Sequence, residues 1–238
     1  MKFSAFYSQQ HAVQIDQVFL LTRVTDHEYL MSYDYAFPFD WNTHFVPDRA
    51  TDCMPACVAM GARYWASLRP QLNIPTDLET WRQFITNQKG MTMRGASLTR
   101  VMDNLGKTMH TGRPSQILKL IPSNLTNIEA TIQYLSHDPP IPLILIFDRS
   151  YMITENEGGY HACLLYGIDY KKEKKVGLID PNLVDSREAF RWDLQHFLRG
   201  WGITENQCVA VCPPELLHLK SKKGLETKPI TSFMEEYK

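Results

Sequence analysis

Pro55 is the residue that most narrows what this chain can fold into. It stands near the head of a series, Cys53, Ala56, Cys57, Met60, Tyr64 and Leu68, that recurs every three or four positions and ends by Pro70. That is the rhythm of a helix burying one face. In a helix interior a proline removes a hydrogen bond and clashes with the preceding turn, whereas in the first turn the N–H it lacks has no intrahelical partner. The helix is therefore expected to begin at Cys53, with Asp52, a good capping type, just before it.

Further short amphipathic segments predict helices over 78–87, over 98–105 before Gly106, and over 127–135, so that a helical half occupies roughly residues 53–136. Beyond it the composition turns to strands. Pro142-Leu143-Ile144-Leu145-Ile146-Phe147, His161-Ala162-Cys163-Leu164-Leu165-Tyr166, Val176-Gly177-Leu178-Ile179 and Cys208-Val209-Ala210-Val211-Cys212 are apolar at alternating and intervening positions alike. Strands covered on both faces read this way. Tyr170-Lys171-Lys172-Glu173-Lys174-Lys175 is a solvated hairpin loop between two of them, and 187–201 is read as a helix. Helices first and sheet second indicate an α+β fold.

Three segments are expected: a β extension over 1–43, a main domain over 44–213 and a charged, loose tail over 214–238. In the first, Tyr29, Met31, Tyr33, Tyr35 and Phe37 alternate with smaller or polar residues, the period of a strand that packs beside the core or walls a groove.

Composition excludes more than it selects. With 25 basic against 26 acidic residues, no broad electrostatic attraction to nucleic acid or anionic lipid is expected. No apolar run approaches the roughly 18 residues needed to span a bilayer, and the N-terminus lacks the apolar core of a secretory signal. Five cysteines, an odd number, fit a reducing compartment better than a disulfide framework, and a cytoplasmic location is the expectation.

The chemistry-bearing residues are Cys53 at a helix start, His161 opening a strand after Gly158-Gly159-Tyr160, and Asp180 closing the next strand before Pro181. A helix N-terminus and a neighbouring imidazolium both favour a thiolate, and a carboxylate on the other ring nitrogen fixes the imidazole tautomer. Each element has a bland reading: a buried cysteine as a small hydrophobe, a strand-end histidine as structure, Asp-Pro as a turn. A metal site from Cys53, Cys57 and His161 is disfavoured, since Cys57 is the next buried turn of the helix. Cys208 and Cys212 share one strand face and read as core.

These residues resemble the C39 group of papain-like cysteine peptidases, including its stand-alone C39-like relatives. Asp52-Cys53-x-Pro55-Ala56-Cys57-x-Ala59-Met60 is similar to the family's Asp-Cys-Gly-Pro-Ala-Cys-Leu-Ala-Met nucleophile helix. The similarity continues in Gly158-Gly159-Tyr160-His161, in Leu164-Leu165-Tyr166-Gly167-Ile168-Asp169, in Val176-Gly177-Leu178-Ile179-Asp180-Pro181 and in Phe197-Leu198-Arg199-Gly200-Trp201, covering about residues 44–213.

The resemblance implies a papain-like fold with Cys53 as nucleophile, His161 as general base and then acid, and Asp180 as orienter. Such enzymes cleave peptide bonds, typically after a Gly-Gly pair in leader peptides, through a thioester acyl-enzyme and without metal or organic cofactor. The partner implied is a peptide or protein substrate. Met54, Gly158, Gly159 and Tyr160 would line its cleft, and the Cys53 backbone N–H would serve the oxyanion.

Two positions depart from the family pattern. The usual glutamine about six residues before the cysteine is missing from Phe45-Val46-Pro47-Asp48-Arg49-Ala50-Thr51, which leaves Asp48 or Asn42 as candidates for the oxyanion site; Met54 replaces the usual glycine. An alternative reading is therefore a peptide-binding module of the same fold with weak or no turnover, or an acyl- or amide-transfer enzyme on the same site. No Gly-x4-Gly-Lys-Ser/Thr phosphate-binding sequence is present, so the domain is expected to act without a transporter part.

Overall fold

The computed structural model describes residues 33–48, 52–86, 108–110, 116–151, 159–183 and 189–219. The segment 98–105, Gly158 and most of the N-terminal extension lie outside them. Within them, four α-helices accompany an eight-stranded antiparallel sheet, an α+β arrangement.

Helix α1 (Cys53–Leu68) begins where Pro55 requires. Its approach to the sheet is close. A Cβ on Gly61 would meet the Val211 and Pro142 side chains at 3.2 and 3.3 Å, and Trp65 Nε1 donates to the Val211 carbonyl at 2.7 Å. Cys57 Sγ donates to the Ala162 carbonyl at 3.4 Å, which ties the second turn of the helix to the residue after His161. Helix α2 (Leu78–Thr86) packs on α1 and starts with the Thr80 N–H bonded to the Asp77 carboxylate.

Strand β1 (Tyr35–Ala36) is followed along the chain by β2 (Thr108–His110) and β3 (Gln116–Asn124), the latter two inside the stretch expected to be helical. Pro122 hides β3 from sequence reading, because a proline in an apolar run argues against a central strand. Among the described residues β2 pairs with β3 over 116–119, and β3 pairs with β8 over 119–124, with Pro122 opposite Val209. The helical half is accordingly interrupted by sheet before α3 (Glu129–Leu135).

The remaining strands are β4 (Leu143–Asp148), β5 (Tyr160–Asp169), β6 (Lys175–Ile179), β7 (Phe190–Asp193) and β8 (Gln207–Cys212), in the spatial order β2-β3-β8-β4-β5-β6-β7. The ten-residue β5 organises the sheet: β6 runs along one edge, while β4 and then β1 share the other. Gly167 makes room for β1, since a Cβ there would lie 2.8 Å from Tyr33 Cγ and 3.0 Å from the Tyr35 carbonyl oxygen. The loop between β5 and β6 is pinned by the Asp169 carboxylate, which accepts the Lys172 and Glu173 N–H groups.

The helix expected over 187–201 divides into β7 and α4 (Leu194–Ile203). Asp193 decides the point of division by accepting the His196 N–H at 2.9 Å as an N-cap. Before it, Arg191 is buried against Tyr33, its guanidinium 5.2 Å from the ring centroid. Pro214–Leu219 forms a short 3-10 helix after β8, with Leu216 packed on the core.

Candidate active site

The β5–β6 register brings the strand-borne residues together. Leu164 pairs with Ile179, so the next positions outward set Asp180 across from Cys163, and His161 lies two residues from Cys163 on the same face. His161 Nε2 is 2.9 Å from Asp180 Oδ1. His161 is 4% exposed and the Asp180 side chain 18%, so this pair faces little water.

Burial alone would push the His161 imidazole toward its neutral form, but the Asp180 carboxylate, with Cys163 beside it, holds its pKa well above the ordinary histidine value. Burial likewise opposes ionisation of Asp180. The His161 charge and hydrogen bond outweigh it, helped by the Asn182 N–H and the Arg149 charge, and hold the carboxyl below its usual range. Both directions describe a histidinium–carboxylate pair. The Phe147 ring stands edge-on to His161 at 5.9 Å between centroids and limits its rotation.

Cys53 is the first residue of α1 and is 7% exposed. Its N–H is among those a helix start leaves without an intrahelical acceptor. Cys57 follows by one turn, and its bond to the Ala162 carbonyl sets the start of α1 against the start of β5. Burial, and then nearby Cys163, Cys53, Asp180 and Asp48, raise the Cys57 thiol well above its ordinary value, so Cys57 stays a neutral core thiol.

The helix is capped differently from what Asp52 suggested. The Asp52 side chain caps nothing and instead meets Arg82 Nε at 3.2 Å. The carboxylate of Asp48 reaches back to accept the Asp52 N–H at 2.6 Å, while its own N–H donates to the Pro181 carbonyl at 2.8 Å. Asp48 thereby joins the start of α1 to the residue after Asp180. In these bonds its side chain is an acceptor, not the donor that an oxyanion requires.

Asn42 stands near the other end of α1. Its N–H donates to the Asp40 carboxylate in an exposed turn, and His44 of that turn packs on Tyr64 and lies 3.4 Å from Ser67 Oγ. Ser67 is fourteen residues from Cys53 along one helix, about 21 Å, a span no asparagine side chain bridges. Met54 is wholly buried in the core. Gly159, with φ of +139°, turns the chain into β5 in a conformation suited to glycine. Tyr160 is exposed and, as the neighbour of His161 along the strand, is turned to the opposite face.

Residues 34–209 match the Peptidase_C39 like family. The chain belongs to that family. The match extends over well more than half of the chain and takes in β1 through the first half of β8, and the α+β arrangement of the C39-like domain agrees with a papain-like fold. No curated protein matches this C39-like chain.

Sequence reading passed over Cys163. The nitrogen, sulfur and carboxylate oxygen of His161, Cys163 and Asp180 all lie within 4.8 Å of one another. The available signal was the His-x-Cys spacing, which at a period of two puts both side chains on one face. Arg149, in the turn after β4, had no such signal, because only the fold brings its charge to Asp180.

Proposed function

We propose that this C39-like domain is a cysteine peptidase, a hydrolase that uses Cys53, His161 and Asp180 as nucleophile, acid–base and orienter. The observation that carries the reading is the His161–Asp180 pair at 2.9 Å, set on the strand against which the Cys53 helix start is tied through Cys57. Cys53 as thiolate adds to the substrate carbonyl, and the C–N bond breaks as His161 gives its proton to the leaving amine. A water, deprotonated by His161, then attacks the thioester and releases the acid and the Cys53 thiolate. The N–H groups at the start of α1 supply oxyanion donors.

The substrate class is a peptide or protein segment, and no cofactor enters the reaction. No described helix is long and apolar enough to cross a membrane. All five cysteines are free, which supports a cytoplasmic working place. A second reading, a peptide-binding module or an acyl- or amide-transfer enzyme, is favoured by the acceptor role of Asp48 where the family pattern supplies a glutamine.

A thiol-directed peptide probe tests the proposal. Cys53 is expected to label much faster than the other four cysteines, and the advantage is expected to vanish in His161→Ala. Labelling of Cys53 no faster than of Cys163 or Cys208 would count against a peptidase and for the binding module.

A further inference from the structure

We infer that His161, Cys163 and Asp180 form a binding site for one zinc-class divalent transition ion. They are the one group of three metal-type donors this close together among the described residues, with their ligand atoms all within 4.8 Å. His161 and Cys163 lie on β5 and Asp180 follows directly after β6, whose ladder with β5 ends at the Leu164–Ile179 pair and so holds the set together. One thiolate, one imidazole and one carboxylate suit a borderline-soft ion such as Zn2+, and disfavour Ca2+ or Mg2+, which take oxygen ligands. In a tetrahedral zinc site with bonds near 2.0–2.3 Å, neighbouring ligand atoms are about 3.3–3.6 Å apart. The His161–Asp180 spacing of 2.9 Å opens by a few tenths of an ångström and the widest spacing, up to 4.8 Å, closes, both within the reach of side-chain rotation.

Three protein ligands leave a fourth position for water or a substrate atom. Asp180, the most exposed of the three, is the side on which an ion arrives. Cys163 is buried beside the histidine and has no part in the proposed peptide cleavage; metal binding gives this thiol a role that packing alone does not require. An ion held here occupies a nitrogen of His161 and an oxygen of Asp180, and so places the peptidase in a resting state that a chelator reverses. That consequence rests on the peptidase reading; the ion site itself does not.

Cobalt(II) added to the full chain as Cys53→Ala is the test, because this variant lacks the proposed nucleophile's thiol and needs no turnover. One equivalent is expected to bind with tetrahedral d–d bands and a thiolate-to-cobalt charge-transfer band in the near ultraviolet. Both are expected to disappear in Cys53→Ala/Cys163→Ala. Absence of the charge-transfer band in Cys53→Ala, or its survival in the double variant, overturns the inference. If the double variant does not fold by circular dichroism, X-ray absorption on zinc-loaded Cys53→Ala decides: one sulfur and at least one imidazole in the shell support the site, and any other shell overturns it. Failure here leaves the labelling result for Cys53 untouched, so the two proposals fail separately.

Discussion

The carboxylate of Asp48 accepts the Asp52 backbone N–H at 2.6 Å, while the Asp48 N–H bonds to the Pro181 carbonyl at 2.8 Å. One residue thus joins the start of α1 to the residue after Asp180. Replacing it by alanine leaves the Asp52 N–H at the helix start without this acceptor, and a loss of about 1–2 kcal/mol in unfolding free energy is expected by urea denaturation. Asp48→Asn keeps an acceptor oxygen and is expected to recover most of that stability. It also removes a negative charge near the proposed oxyanion position, so peptide turnover by Asp48→Asn is expected to rise; slower turnover would remove Asp48 from the account of the oxyanion site.

Asp180→Asn takes away the charge that holds His161 protonated while keeping a similar shape. The alkylation rate of Cys53 at neutral pH, and peptide hydrolysis with it, are expected to fall by about a hundredfold or more, the scale of acid–base catalysis. Iodoacetamide kinetics followed by peptide mass spectrometry measure this directly. An unchanged rate would show that Asp180 does not orient the imidazole.

The ion pair also makes stability depend on pH in a definite direction. Asp180 is held below the ordinary carboxylate range, so its contribution is complete above the unfolded value of about 3.9 and is lost as pH falls through the folded one. His161 is held above its ordinary value, so its contribution is complete below about pH 6.5 and fades as pH rises through the folded value. The stability difference between wild type and Asp180→Asn is therefore expected to be largest between about pH 4 and pH 6.5. Urea midpoints across pH 3–9 give the curve, and a flat difference would mean that the pair is not ionised.

Gly167→Val is expected to destabilise the fold by about 1–3 kcal/mol, as overpacking does. The new Cβ would fall 2.8 Å from Tyr33 Cγ and 3.0 Å from the Tyr35 carbonyl, and neither is the free end of a flexible chain. The β1 segment is expected to part from β5, with faster amide exchange at Phe37, whose N–H bonds to the Tyr166 carbonyl at 2.6 Å. Unchanged exchange there would show that the contact is relieved elsewhere.

Much of this molecule was legible before any coordinates. Pro55 and the three-to-four residue spacing placed the start of α1 at Cys53, because backbone sterics allow a proline only at a helix head. The apolar runs at 142–147, 161–166, 176–179 and 208–212 declared themselves as the strands now found at 143–148, 160–169, 175–179 and 207–212, because a sheet covered on both faces needs no polar alternation. What escaped was whatever depended on a neighbour. β3 is a strand despite Pro122 because β8 pairs with it from Lys119 to Asn124, and β7 is a strand only because β6 lies beside it.

The same division runs through the site. Sequence by itself determined that a thiol begins a helix, that a histidine opens a strand and that an aspartate closes the next, since these are local matters of period and capping. Only the tertiary structure decided that the β5–β6 register sets Asp180 on His161, that Cys163 shares their face, that Asp48 accepts where the family pattern expects a donor, and that Asn42 lies at the far end of the helix. Registers and long-range hydrogen bonds are pairings between distant segments, and no periodicity within one segment encodes which partner it meets.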